Sequence, residues 1–359
     1  MAYSITFIPG DGIGPEVAEA TRRVLEATGV KFSWDRAHAG DRAQDLFGTP
    51  LPDYLLDSIR RNQVAIKGPI TTPIGSGFRS VNVAIRKALN LYVCLRPCKL
   101  YPGAPSPYKD VDVVIVRENT EDLYMGIEYA QATLEAARLL RFIEDCGGRV
   151  QPDSSFTIKA ISTTASRRIA RWAFEYARAN SRKKVSAIHK ANILKATDGL
   201  FLSTCYEVSK EYPDIKFEPH IVDSICSQLV RNPQSHDILV LPNLYGDIVS
   251  ELCAGIVGGL GVAPGANIGD EIAVFEPTHG SAPKYAGKNK VNPMAMMLSG
   301  VMMLRHLGEK DAADMVEDAI SRVIAEGKSV TYDMKADKND PTAVGTAEVA
   351  EAVIKKMKE

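Results

Sequence analysis

Ser80, Asn82, Arg86 and Arg96 fall within one short stretch of a chain of 359 residues. If Ser80 opens a helix, Val81, Ala84, Ile85 and Ala88 line one face, while Asn82 and Arg86, four residues apart, project together from another. The Ser80 hydroxyl then caps a free N–H or meets an anion drawn to the positive end of the helix. A β-prone run, Leu91 to Leu95, carries Arg96 back toward the same cleft, just before Pro97. A hydroxyl, an amide and two guanidiniums aimed one way make a receptor for carboxylates, because a guanidinium grips a carboxylate with two donors and keeps its charge. Taken alone, the stretch better suits a solvated surface helix with a structural serine cap; the rest of the chain changes that reading.

A second set of side chains is acidic. Asp223 follows the strand-like run Ile215 to Val222, and Asp247 and Glu251 sit one helical turn apart after the strand-like run Asp237 to Leu241. Three hard oxygen donors of this kind suit Mg²⁺ or Mn²⁺. Between them, Val185 to Ile188 ends in His189, Lys190 and Asn192, and Val111 to Val116 ends in Arg117 beside Glu118, Glu121 and Asp122. Groups just past the carboxyl ends of strands are where α/β folds hold their ligands.

The elements that must position these groups alternate between strand and helix, which predicts a mostly parallel α/β sheet. Tyr3 to Ile8 reads as a strand, and Gly10, Gly12 and Gly14 with Pro15 as a tight turn into a helix. The spacing lacks the third glycine of a dinucleotide fingerprint. Val64 to Gly68 is a further strand, followed by Thr71 to Phe78, a Gly-containing loop suited to covering a ligand. Pro97 to Pro107 is a Pro-rich connector and a candidate domain boundary. Helical periodicity runs over Gln131 to Asp145 and Arg167 to Ala179, and Phe156 to Ser162 is strand-like. Ile268 to Ser299 reads as a long loop entering a Met-rich helix, its methionines core filler.

Composition sets the outer bounds. The length predicts two domains. A net charge of −1, with 45% hydrophobic and 24% charged residues, argues against a nucleic-acid or anionic-membrane surface as the main partner, so anion recognition has to be local. Six cysteines without CxxC spacing suit reduced thiols and a cytoplasmic setting. No signal peptide or membrane-spanning run is visible.

Six blocks in consistent order, TTPIGSGFRSVNVAIRKALNLYVCLRP, IVRENTEDLYMGIEY, HKANILK, NLYGDIVSE, GVAPGANIGDE and FEPTHGSAPKYAGKNKVNP, closely resemble the isocitrate and isopropylmalate dehydrogenase family. Within it they are nearest to the prokaryotic NADP-dependent isocitrate dehydrogenases. The resemblance implies a non-Rossmann α/β fold with a large cofactor-binding domain (residues 1–91 and 258–359), a small domain (92–121 and 163–257) and a dimer clasp (122–162). It also implies oxidative decarboxylation of isocitrate by a homodimer using NADP, with NAD possible, and Mg²⁺ or Mn²⁺. By the same resemblance, Ser80 and Asn82 hold the γ-carboxylate that distinguishes isocitrate from isopropylmalate, and Arg86, Arg96 and Arg117 bind the other carboxylates. Tyr124 and Lys190 are the catalytic pair, and Asp223, Asp247 and Glu251 the metal ligands, Glu251 standing where Asp is usual. Lys190 and Asp223 would be contributed by the neighbouring subunit.

The cofactor would meet Thr71, Thr72, His279, Gly280, Lys284, Tyr285, Val291, Asn292 and Tyr332. Of these, Lys284, Tyr285 and Tyr332 would take the 2′-phosphate. Ala336 stands where a further phosphate-binding Arg is common, with Lys335 beside it as a substitute. Two other readings remain open, a homoisocitrate or other 3-substituted malate dehydrogenase using NAD, and a non-catalytic regulatory subunit of a hetero-oligomeric isocitrate dehydrogenase. The intact Tyr124, Lys190 and Asp247 weigh against the regulatory subunit. The polar start of the Ser80 helix makes the substrate expectation testable. Ser80→Asp places a second negative charge against an incoming carboxylate, and repulsion of several kcal/mol, about 3 or more, lowers isocitrate turnover by orders of magnitude in steady-state assays of folded protein.

Overall fold

The computed structural model describes residues 2–72 and 80–359. The expected cover loop, Thr71 to Phe78, lies outside the described residues except for Thr71 and Thr72. Twelve strands are present among the described residues: β1 (Tyr3–Ile8), β2 (Phe32–Arg36), β3 (Val64–Lys67), β4 (Val93–Lys99), β5 (Asp112–Glu118), β6 (Glu128–Tyr129), β7 (Phe156–Thr157), β8 (Lys184–His189), β9 (Lys216–Ile221), β10 (Ile238–Leu241), β11 (Pro264–Ile268) and β12 (Ala273–Pro277). Ten of them form one sheet in the order β2-β1-β3-β12-β11-β4-β5-β10-β8-β9, and β6 and β7 pair separately. The sheet is mostly parallel as expected, but its centre is antiparallel: β12–β11, β11–β4 and β4–β5 run in opposite senses.

The helices are α1 (Gly14–Ala27), α2 (Asp41–Phe47), α3 (Asp53–Asn62), α4 (Val81–Ala88), α5 (Leu134–Asp145), α6 (Thr163–Ala179), α7 (Thr197–Ser209), α8 (Val222–Arg231), α9 (Asn243–Ile256), α10 (Met294–His306), α11 (Lys310–Glu326) and α12 (Thr346–Met357). Helices α1, α6, α7, α10, α11 and α12 share one extended apolar core on the back of the sheet. The front carries two separate cores, one under α3 and α4 and the other under α8 and α9. The methionines of α10 are indeed core, Met294, Met296, Met297 and Met303 being fully buried. None of the described helices is long and apolar enough to cross a membrane, and all six cysteines are free.

The gap between the two front cores is what positions the site. Side chains alternate across a strand, and Ile66, Leu95, Val116, Ala266 and Phe275 all enter the back core. Their successors Lys67, Arg96, Arg117, Asn267 and Glu276 therefore face front. Because β3, β12, β11, β4 and β5 are consecutive neighbours, these five polar residues form a seam across the middle of the sheet.

Several expected boundaries move. β4 continues through Arg96 and Pro97 to Lys99, so Arg96 stands within a strand and the connector begins later than Pro97. Pro97 is tolerated because β11 pairs with β4 only from Val93 to Leu95, leaving no ladder on the side where Pro97 lacks a donor. The expected strand Phe156 to Ser162 shrinks to Phe156–Thr157. The expected loop Ile268 to Ser299 contains β12, whose five residues are all buried.

The Gly10–Gly14 segment is a tight turn into α1, as read. A Cβ at Gly12 would lie 2.1 Å from the Ser281 carbonyl oxygen, and its φ of +57° disfavours other residues. Gly10 sits at φ +82° with Pro69 O equally close, at 2.2 Å from an added Cβ. Both glycines thus let the turn pack against the backbones that follow β3 and β12. Gly12→Ala should cost about 2 kcal/mol or more, read as a lowered urea midpoint with unchanged m-value.

Candidate functional site

The front seam opens into a cleft of about 430 Å³ lined by Asn82, Arg86 and Arg96 on one side and Thr71, Thr72, His279 and Gly280 on the other, with Lys67 and Glu276 at its base. Substrate and cofactor groups expected from sequence therefore share one cavity. α4 begins as read: the Ser80 hydroxyl accepts from the Val83 N–H at 3.5 Å and from Thr72 Oγ1 at 3.4 Å. Val81 and Ile85 are buried, whereas Ala88, expected on the same apolar face, is exposed. Among the described residues, Asn82 Oδ1, Arg86 Nε and His279 Nε2 are buried without a hydrogen-bond partner. Unpaired buried polar atoms are costly, so a cleft carrying three of them is shaped for a polar ligand.

At the base, Lys67 Nζ lies 2.6 Å from Glu276 Oε2, and Arg86 Nη2 donates to Glu276 Oε1 at 2.9 Å. Asn267 Nδ2 donates to the same oxygen at 2.6 Å, and Asn119 links Asn267 to Arg86. Burial opposes the charge on Glu276, but Lys67 and Arg86 outweigh it and hold the carboxyl well below its ordinary range.

Under α9 the second group assembles. Asp247 Oδ1 accepts from Arg117 Nη1 and, at 3.4 Å, from Arg96 Nη1, while Tyr124 OH donates to Oδ2 at 2.6 Å. Arg96 also donates to Ser250 Oγ at 2.6 Å. Arg117 is held by Asn243 Oδ1 at 2.9 and 2.7 Å and runs directly beneath Gly246, where a Cβ would approach its side chain to 2.4 Å. Burial, then the hydrogen bond to Asp247, raises the Tyr124 phenol above its ordinary pKa, which keeps it protonated and able to act as an acid. The Arg117 guanidinium lies 4.9 Å from the Tyr124 ring centroid, fixing the ring's orientation.

Lys190 and Asp223 stand apart. They pair with each other, and the ammonium lowers the Asp223 pKa. Among the described residues neither makes a hydrogen bond or salt bridge to the Asp247 group, and no three His, Cys, Asp or Glu side chains converge as metal ligands. The acidic trio is thus not gathered within one chain. Asp247 and Glu251 share α9, and Asp223 lies in the first turn of α8. The donor set still has the hard-oxygen chemistry that Mg²⁺ or Mn²⁺ requires.

Further along, Lys284 Nζ sits 4.9 Å from the Tyr285 ring centroid and Lys290 Nζ 4.9 Å from that of Tyr332, the two rings being 6.1 Å apart. Neither lysine has a carboxylate partner among the described residues. Pairing with Tyr332, then the Lys284 charge, holds the Tyr285 phenol below its ordinary pKa. Lys335 does not join them. Its ammonium donates to the carbonyls of Gly327 and Lys328 at 2.8 and 3.4 Å, past the end of α11. Val291 is buried, its carbonyl accepting from Thr346, and Asn292 is tied to Asp333 at 3.1 Å.

Sequence reasoning missed Lys67, Glu276, Asn243, Ser250 and Lys290. A lysine closing the otherwise apolar strand run VAIK was the available signal for Lys67.

This fold and site define a class. A family model described as isocitrate/isopropylmalate dehydrogenase matches residues 4–353, and the chain belongs to that family. It is 47% identical over 330 residues to the NAD isocitrate dehydrogenase catalytic subunit 5, mitochondrial, of Arabidopsis thaliana, covering 92% of this chain and 83% of that one. It is 44% identical to the NADP isocitrate dehydrogenase of Archaeoglobus fulgidus over 98% of this chain and 92% of that one. The crystal structure of isocitrate dehydrogenase from Methylococcus capsulatus superposes with a TM-score of 0.91 at 48% identity, covering all of both chains (100% and 100%).

The buried Glu276 network yields a stability prediction. Lys67→Met removes one of two cations from a buried carboxylate and should destabilise the fold by roughly 3 kcal/mol, seen as a lower urea midpoint. Adding Glu276→Gln should recover part of that loss. Equal stability of Lys67→Met and the unaltered protein would rule out the pair as a structural anchor.

Proposed function

We propose that this chain is a catalytic isocitrate dehydrogenase, converting isocitrate to 2-oxoglutarate and CO₂ with reduction of NADP. The observation that carries the reading is the single cleft in which Asn82, Arg86 and Arg96 face Thr71, Thr72, His279 and Gly280. Ser80 and Asn82 give the start of α4 polar groups for a third carboxylate, where an apolar side chain of the substrate would leave them unpaired. Arg86, Arg96 and Arg117 hold the remaining carboxylates. Lys190 takes the hydroxyl proton, and the protonated Tyr124 phenol returns one to carbon after CO₂ departs. Thr71, Thr72, His279 and Gly280 would hold a nicotinamide cofactor, which would supply a hydride acceptor, and Asp223, Asp247 and Glu251 would hold a divalent cation, which would supply charge stabilisation for an oxyanion.

The reading requires a homodimer in which Lys190 and Asp223 of one chain complete the Asp247 side of the other. Their separation from Asp247 within one chain supports it. So do the exposed apolar side chains Leu134 and Phe142 on α5, Ile193 before α7 and Ile248 on α9, which a second copy would cover. It also divides the chain into the large domain, small domain and clasp expected from sequence, working in the cytoplasm. NADP is favoured over NAD because Lys284 and Lys290 flank two phenols with no carboxylate to neutralise them, an arrangement suited to a dianionic phosphate.

Steady-state kinetics with isocitrate, isopropylmalate and homoisocitrate, both nicotinamide cofactors and Mg²⁺ test the reading. Isocitrate should be turned over by the purified chain alone, with NADP preferred by roughly a hundredfold or more if two charge-assisted contacts each contribute about 1.5–3 kcal/mol. Lys284→Asp with Tyr285→Ile should reverse the preference, and Lys290→Ala should weaken NADP while leaving NAD use unchanged. Lys190→Met and Arg117→Ala, each inactive, should regain activity when refolded together; sites built within one chain would give no recovery. A kcat/KM for NAD equal to or above that for NADP would refute the phosphate assignment.

A further inference from the structure

The strands that carry the polar seam have a second side. Leu95 and Phe275 precede Arg96 and Glu276, and Ile268 follows Asn267; all three point through the pleat to the back, where they floor a cavity of about 700 Å³. α6 supplies one wall with Trp172, Tyr176 and Ala179, and α10 the other with Leu298, Val301 and Met302. The same central strands that separate α4 from α9 on the front therefore separate α6 from α10 on the back. The volume is that of a pocket for a small organic molecule and far exceeds the few water-sized voids of a packed interior.

The chemistry of the lining selects the ligand. Arg182 is paired with Asp112 and Asp237 at 2.7 and 3.1 Å, Arg305 with Asp314 and Glu317 at 2.8 and 2.6 Å, and Lys99 with Glu317 at 2.7 Å. An ionic ligand would have to break one of these pairs. The Tyr101 hydroxyl donates to Glu317 at 3.1 Å. By contrast, the Tyr176 hydroxyl makes no hydrogen bond among the described residues, and its ring stacks on Trp172 with centroids 5.2 Å apart. The cavity thus offers an aromatic and aliphatic interior in which the Tyr176 hydroxyl and the His306 imidazole, which lies against the Phe275 ring, make no hydrogen bond among the described residues.

We propose that this back cavity binds an uncharged aromatic molecule of one or two rings bearing one hydrogen-bonding group, and that its occupancy acts on the front cleft. A molecule seated between α6 and α10 fixes their separation. Since residues of the two cavities are neighbours along β4 and β12, it also fixes the spacing of Arg96 from Glu276.

The test titrates the full chain with 2-dimethylamino-6-propionylnaphthalene, an uncharged two-ring fluorophore whose ketone is its hydrogen-bonding group, exciting tryptophan. The chain has two tryptophans, Trp34 on β2 and Trp172 in the cavity wall, so in a Trp34→Phe background energy transfer reports proximity to Trp172. Saturable transfer with one fluorophore per chain is expected. Ala179→Phe, at an exposed lining position where folding is not at stake, should weaken it at least tenfold; Ala179→Ser should not, and Tyr176→Phe should weaken it a few-fold. Unchanged binding in Ala179→Phe, or tighter binding of the anionic 8-anilino-1-naphthalenesulfonate at the same position, overturns the site. The coupling arm rests on the isocitrate reading: the fluorophore should shift the KM for isocitrate in the unaltered protein and not in Ala179→Phe, and binding without that shift overturns the coupling. Binding itself needs no turnover, so a failure of the substrate reading is distinguishable from a failure of the site.

Discussion

Like charges confined together are the constraint around which this structure is arranged. Arg96 is 8% exposed, Arg117 1% and Lys67 2%, all on one face of neighbouring strands, and Arg86, also 8% exposed, reaches the same cleft from α4. Against these four cations stand two carboxylates, Glu276 and Asp247, so the seam keeps two positive charges in excess. The fold makes this tolerable by mixing ionic with neutral partners. Arg86 receives Glu276 and Asn119, and Arg96 receives Ser250 with a long contact to Asp247. Arg117 donates two bonds to the neutral Asn243 and shares Asp247. Burial, reinforced by the charge of Arg96, lowers the Arg117 pKa. On the proposed reading, a protein of net charge −1 binds a tricarboxylate because its excess charge is concentrated in this seam.

Holding that seam requires the backbone to come close. Arg117 can lie flat under α9 only because position 246 is glycine, and α9 then delivers Asn243, Asp247 and Ser250 to one side of it at successive turns. The antiparallel centre of the sheet serves the same end. With β11 and β4 inserted between β12 and β5, Glu276 and Arg117 face the same cleft from opposite sides without meeting, leaving Arg96 and the open space between them. A wholly parallel arrangement joined by crossover helices would cover this face; here the front helices part and leave the cleft open.

What was legible in the sequence was local. The Ser80 cap, the shared face of Asn82 and Arg86, the glycine turn at Gly10–Gly14 and the strand ending near Arg117 all follow from periodicity and capping, which act over a few residues. The polar network was not legible. Lys67 and Glu276 end apolar strands far apart in the chain, and neither has a neighbour in sequence that predicts its partner. β12 was hidden for a related reason, because a five-residue buried strand among glycines and prolines carries no alternation to betray it. Lys335, chosen by its place beside Ala336, is occupied by helix-end carbonyls, whereas Lys290, which no spacing marked, reaches the Tyr332 ring. The acidic trio shows a different limit: residue types can suggest a ligand set, but a single chain does not bring these three together.

That last separation fits the proposed assembly on energetic grounds. Lys190 and Asp223 satisfy each other at the surface, with Asp223 68% exposed on its side chain and Lys190 27%. Such exposed pairs are weak, so a ligand or a second chain can part them at little cost. Asp247 is in the opposite condition, half-buried and bonded by two guanidiniums and a phenol. On the proposed reading the two groups come from different chains, so docking supplies the mobile pair to a carboxylate that is already fixed. The rigid half of the site is set by folding, and only the half that is easily rearranged depends on assembly.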